Sequence, residues 1–150
     1  MFTRQELESV IMLTYLKDRM LDKIERITHV ETYPAGAFIF KEGDFAEYLY
    51  AIIEGTVSLE LEQHANQIIR IKNITPRYTF GISSMVDTDP KACTSHARAV
   101  TDTRVFRWNA SELEKLFYQD FELGFIFMKR IAKILRGRLL TIEAQIAGTY

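Results

Sequence analysis

The run Phe38-Ile39-Phe40-Lys41-Glu42-Gly43-Asp44, followed by Leu49-Tyr50-Ala51-Ile52-Ile53-Glu54-Gly55 and Val57-Ser58-Leu59, decides the fold. Short runs of aliphatic and aromatic residues alternate with Gly-centred turns, the texture of short antiparallel strands closing into a small barrel. It extends over residues 30–108, which therefore read as one antiparallel β domain. In Val57-Ser58-Leu59-Glu60-Leu61-Glu62, period-2 alternation puts three aliphatic side chains on one face and Ser58, Glu60 and Glu62 on the other. After the turn-like His64-Ala65-Asn66, the segment Ile69-Arg70-Ile71-Lys72 alternates in the same way. A hairpin then sets Glu60 and Glu62 across from Arg70 and Lys72 as a solvated charged face.

Upstream, Leu7, Val10, Ile11, Tyr15, Leu21, Ile24 and Ile27 follow helical spacing, broken near Asp18, which is placed to cap a second short helix. Pro34-Ala35-Gly36 punctuates the entry into the strands. Downstream, Asn109 is placed to cap a helix reaching about Tyr118, with Glu112 as its capping-box partner. Asp120 then caps a much longer helix reaching about Ile146. The expected plan is one domain over residues 1–150: a helical lead-in at 4–27, a β-roll at 28–108 and C-terminal helices at 110–146. The fold class is mainly β with flanking helices, a double-stranded, jelly-roll-like β-roll.

In the long helix Phe121, Phe125, Met128, Ala132, Leu135, Leu139, Ile142 and Ile146 are spaced as a heptad seam. Leu123, Phe127, Ile131 and Ile134 supply a second apolar face in its first half. Two faces imply two neighbours: the barrel and a second copy of the chain, hence a homodimer. Gly137 is a weak point worth about 1 kcal/mol of helix propensity. The basic set Lys129, Arg130, Lys133, Arg136 and Arg138 reads as a solvated face matched to the helix dipole.

With 150 residues and 47% hydrophobic content, the chain can bury a real core. A formal charge of −1 gives no footprint for many nucleic-acid phosphates. The single cysteine, Cys93, excludes an internal disulfide, and no secretory leader is recognisable, so a cytoplasmic setting is expected. No apolar stretch approaches the roughly 20 residues that span a bilayer. His29, His64 and His96 stand far apart, so no metal centre is expected, and no nucleophile motif or P-loop supports an enzyme.

The runs Tyr33-Pro34-Ala35-Gly36, Phe40-Lys41-Glu42-Gly43-Asp44, Leu49-Tyr50, Glu54-Gly55-Thr56-Val57, Phe80-Gly81 and Arg98-Ala99-Val100-Thr101-Asp102-Thr103 resemble the cyclic-nucleotide-binding domain of the catabolite activator protein (Crp/Fnr) family. The resemblance covers about residues 7–146. It implies a β-roll with a phosphate-binding cassette and a long dimerising helix. In that family Phe-Gly-Glu opens the cassette, its Glu taking the ribose hydroxyl, and an Arg-Ser or Arg-Thr pair neutralises the cyclic phosphate. Here Phe80-Gly81 is followed by Ile82, Ser83 and Ser84, so the ribose carboxylate is missing. Counting forward from Gly81 puts Lys91 at the arginine position. Counting back from Arg98 puts Cys93-Thr94 there, with Ser95 next.

Hydrogen bonds to charged groups are worth about 1.5–3 kcal/mol each, so loss of both anchors weakens a cyclic nucleotide by several powers of ten. The expected function is a non-catalytic small-ligand sensor, with cyclic AMP or cyclic GMP disfavoured as ligand. One alternative is a genuine cyclic-nucleotide binder using Lys91 or Arg98 at the phosphate. Another is a structural dimerisation subunit with a vestigial pocket. The chain stops without room for a recognition helix, so it is expected to act through itself and a protein effector, not by direct DNA binding.

Overall fold

The computed structural model describes residues 1–148. Helix α1 (Arg4–Glu8) and α2 (Asp18–Arg26) flank a 3-10 turn at Ile11–Leu13, and eight strands follow. These are β1 (His29–Tyr33), β2 (Phe38–Phe40), β3 (Tyr48–Glu54), β4 (Val57–Gln63), β5 (Gln67–Ile74), β6 (Thr79–Phe80), β7 (His96–Ala99) and β8 (Thr103–Asn109). Helices α3 (Ala110–Gln119) and α4 (Phe121–Gly148) complete the chain. The strands form two antiparallel sheets, ordered β1-β8-β3-β6 and β2-β7-β4-β5, which face each other as a β-roll. No helix among the described residues is long and apolar enough to cross a membrane.

Alternation along β3 explains why Leu49-Tyr50-Ala51-Ile52 is apolar without interruption. Leu49 and Ala51 join Phe106 and Trp108 of β8 in a core shared with the helices, while Tyr50 and Ile52 join Val57, Leu59 and Val105 inside the roll. A strand buried on both faces has no position for a polar residue. The buried Trp108 indole donates to the Thr28 hydroxyl at 2.7 Å, which satisfies its one donor. Gly55 turns β3 into β4 at φ +94, where a Cβ would lie 2.5 Å from the Asp102 carbonyl oxygen. Only glycine meets both demands.

Asn109 and Asp120 cap their helices as expected, though among the described residues the Glu112 side chain returns no capping-box bond to Asn109. Asn109 Oδ1 accepts from the Glu112 amide at 3.1 Å, and Asp120 Oδ1 from the Leu123 amide at 3.2 Å. Arg19 and Lys23 of α2 also reach the Asp120 carboxylate, which ties the lead-in to the base of α4. The Leu123 amide, seconded by these cations, holds Asp120 below the usual carboxylate range. At α2 the structure corrects the sequence: Lys17 is the cap position, without a side-chain bond, and Asp18 is the first helical residue. A full capping box at Thr3 and Glu6 starts α1. The lead-in is also less regular than its spacing, because Tyr15 sits in the left-handed region at φ +61 and is fully exposed.

Leu123, Phe127 and Ile131 of α4 are buried and Ile134 packs against the same core, as the second apolar face requires. The seam residues from Phe121 to Ile146 lie on the exposed side, Phe121 at 73% and Phe125 at 67%.

Candidate functional site

Of the residues that the sequence marks for a ligand, Phe80 to Ser84 lie at the turn after β6. Gly81 (φ +81) opens a 3-10 turn at Ile82–Met85, and the Ser84 hydroxyl donates back to the Gly81 carbonyl oxygen at 2.8 Å. A Cβ on Gly81 would lie 2.9 Å from both the Tyr48 carbonyl oxygen and Tyr50 Cδ2. The turn is therefore wedged against an aromatic ring. Tyr50 stacks on Phe80 with centroids 4.9 Å apart and planes 8° from parallel, and Phe40 lies 5.9 Å from Tyr50 and 6.2 Å from Phe80. The barrel interior beside the turn is thus occupied by three rings. Burial pushes the Tyr50 phenol well above its ordinary pKa, so it carries no charge at neutral pH.

Ile82 does not face this interior. It is buried in the helix-side core with Leu49, Leu113, Leu123 and Phe127. Ser83 beside it is half-buried.

Strand pairing sets Cys93 opposite the segment that follows β2. The Cys93 amide donates to the Asp44 carbonyl oxygen at 2.8 Å, and the Gly43 amide to the Cys93 carbonyl oxygen at 2.9 Å, in line with the β2–β7 pairing that starts at Phe38 and Arg98. The segment 87–90 that precedes this pairing is exposed. Cys93 is buried beside Tyr50, and burial pushes its thiol pKa up, which leaves it an inert, neutral side chain. Thr94 is exposed and Ser95 buried.

Neither substitute cation reaches the rings. Lys91 lines a groove of about 280 Å³ outside the roll, between the cassette turn and α3–α4, with Asp87, Glu114, Tyr118 and Phe125. Arg98 faces outward from β7 and makes two bonds to the Glu60 carboxylate, Nε to Oε1 at 3.0 Å and Nη2 to Oε2 at 2.7 Å. Glu60 is 1% exposed, and Arg98 holds its carboxyl below the usual range against the opposing effect of burial.

This corrects the expected solvated face at Glu60, while Glu62, Arg70 and Lys72 are exposed and Glu62 lies across from Ile68. A bulge pairs Leu59 with Lys72 and Glu60 with Arg70, but β4 is an inner strand, and Arg98 on β7 answers the buried carboxylate from the other side. A further cation escaped the sequence reading. Arg107 lies over the Tyr48 ring at 4.2 Å and pairs with Glu31 at 3.2 Å. Among the described residues no group of three His, Cys, Asp or Glu side chains is placed to hold a metal ion.

Comparison with known proteins agrees with this geometry. The chain is 25% identical over 117 residues to the global nitrogen regulator of Nostoc sp. (strain PCC 7120 / SAG 25.82 / UTEX 2576), an overlap of 78% of this chain and 51% of that protein. It therefore spans about half the length of this curated relative. The crystal structure of a protein assigned as cyclic nucleotide-binding from Geobacter metallireducens GS-15 superposes with a TM-score of 0.78 at 29% identity, covering 93% of this chain and 99% of that one. Thermus thermophilus catabolite activator protein shares the fold, with a TM-score of 0.74 at 22% identity over 89% of this chain and 62% of that one. The family model for the cyclic nucleotide-binding domain matches residues 30–120, which contain both sheets of the roll except the first residue of β1, the cassette turn and α3. By this match and the Gly-bearing turns that carry it, the chain belongs to the cyclic nucleotide-binding domain family.

Proposed function

We propose that the chain is a non-catalytic regulatory module whose barrel has lost useful affinity for cyclic nucleotides and which signals as a homodimer through α4. The observation that carries this is the Tyr50–Phe80 stack against Gly81, with Arg98 committed to Glu60 and Lys91 lining a groove outside the roll. A cyclic nucleotide entering there would have to unstack the rings and leave its phosphate without a charged partner. Recruiting Arg98 would strip the buried Glu60 of its cation, and breaking a buried pair costs about 3–5 kcal/mol. That is more than a charged hydrogen bond to the phosphate, at about 1.5–3 kcal/mol, returns.

The exposed seam supports the dimer. Phe121, Phe125, Met128, Leu135, Leu139 and Ile142 are 39–73% exposed in a single chain, along a helix whose opposite face is already packed. Burial of such a seam by a second copy follows coiled-coil geometry. A shift of α4 between two positions then passes the signal to a protein effector, provided that ligand affinity differs between the positions. A net charge of −1 supports a protein target over a phosphate backbone, and the reduced, buried Cys93 supports a cytoplasmic setting. The ring-filled interior also favours a second reading, a structural dimerisation subunit with a vestigial pocket.

Melting curves with about 1 mM cyclic AMP or cyclic GMP test the lost affinity. A ligand at 100 times its Kd adds about 2.7 kcal/mol, or several degrees for a domain of this size. The module is expected to shift by less than about 1 °C, and a shift above about 5 °C would refute the proposal.

A further inference from the structure

Lys129, Lys133 and Arg136 of α4 are exposed, as the sequence suggests, but Arg130 and Arg138 are half-buried. Lys133 and Arg138 line a cavity of about 820 Å³ between α4, the turn joining β5 to β6 and the 3-10 turn of the lead-in, and Arg130 and Lys72 line it too. The volume lies within the range of small-molecule sites. No aspartate or glutamate is among its lining residues, and none of the four cations has a carboxylate within 4.0 Å among the described residues. Among the described residues the only protein acceptor they reach is the Met12 carbonyl oxygen, 2.8 Å from Arg130 Nη1. Arg138 Nη2 is buried with no partner, and so is the hydroxyl of Thr79, a lining residue only 5% exposed.

Buried polar groups are almost always paired, and four unanswered positive charges around one cavity repel one another. Burial pushes the guanidinium pKa of Arg138 and of Arg130 down, the direction expected where no anion compensates. Ile11, Ile74 and Ile134 form apolar wall between the cations. Arginine forks suit phosphate and carboxylate oxygens bidentately, and lysines add point charges.

We infer that this cavity binds a small anion carrying two or more negative charges, held by Arg138, Arg130, Lys133 and Lys72 between the roll and α4. Three of the cations ride on α4 and one on β5, so occupancy would fix the helix against the barrel. The site is independent of the cyclic-nucleotide position and of the dimer, and it stands whether or not those proposals fail.

Calorimetry and melting curves on the purified full chain at low ionic strength test it. Pyrophosphate and citrate separate phosphate from carboxylate chemistry, and sodium chloride at matched ionic strength is the control. Saturable binding of one or both probes, with a rise in melting temperature that the chloride control lacks, is expected. Lys133→Gln, on an exposed position, and Arg138→Gln should each weaken binding at least tenfold. Arg138→Gln should also melt no lower than wild type without ligand, because it removes an unpaired charge. Absence of saturable binding, unchanged affinity in both variants, or a large loss of ligand-free stability in Arg138→Gln would overturn the site. So would tighter binding of a short DNA duplex than of either probe.

Discussion

Arg98→Ala isolates the buried Glu60 carboxylate, which is 1% exposed and takes both of its charged hydrogen bonds from that guanidinium. Removing one partner of a buried pair costs about 3–5 kcal/mol. At about 2–4 °C per kcal/mol for a chain of this length, the melting temperature should fall by about 6–20 °C at neutral pH. The pH profile carries the sharper signature. In the native protein Arg98 depresses the Glu60 pKa, so the pair's contribution is present above the ordinary carboxylate range and is lost as pH falls through the depressed value. In the variant burial loses its largest opponent, with only Ser58 and Arg70 left against it, so the folded-state pKa rises, Glu60 takes up a proton more readily on acidification and the penalty is relieved. The gap between variant and wild type should therefore be largest near pH 7 and shrink towards about pH 4. Thermal or urea unfolding across that range measures it. A double replacement, Glu60→Leu with Arg98→Met, should recover most of the loss, because well-packed apolar pairs often match buried ion pairs. A drop of less than about 2 °C, or a gap that stays constant with pH, would refute Arg98 as the committed partner of Glu60.

Light scattering should give wild type twice the single-chain mass of 17.5 kDa, while Leu135→Asp with Leu139→Asp should give one chain. A wild type that runs as one chain at about 100 μM would remove the α4 dimer, since stable interfaces hold well below that concentration. Ile82→Glu should not restore a ribose anchor, because Ile82 is buried in the helix-side core; it should lower stability by several kcal/mol, read by urea unfolding. An Ile82→Glu variant of native stability would show that this position opens to the barrel. Gly137→Ala, where a Cβ meets nothing within 4 Å, should raise the melting temperature by about 2–4 °C through helix propensity. A lower melting temperature would mean that another surface approaches α4 there.

Features written in local pattern were legible in the sequence. The Gly turns and the alternation of β3 and β4 set the roll, Asn109 and Asp120 mark two helix starts, and the split between Leu123, Phe127, Ile131 and the seam foretells which side of α4 is covered. Contacts that depend on the strand lying next door were not. Glu60 reads as solvated because its answer, Arg98, comes 38 residues later and on a strand other than its hairpin partner. The α4 cations read as a wet face because periodicity does not reveal a cavity beneath Arg138. Tyr15 fits the helical spacing, but the chain has already left the helix at Ser9. Of the two cassette registers, neither sets a free cation at the rings, because Lys91 lies in an outer groove and Arg98 answers Glu60. The ring stack also stayed hidden, since Phe40, Tyr50 and Phe80 come from three strands in two sheets.

Calorimetric titration of cyclic AMP into the purified chain tests most directly whether the family's cradle persists here without its grip. With Ile82 turned into the helix-side core, Arg98 held by Glu60 and rings filling the interior, no saturation is expected below about 1 mM, near −4 kcal/mol. Saturation at one cyclic nucleotide per chain below about 10 μM, near −7 kcal/mol, would contradict it.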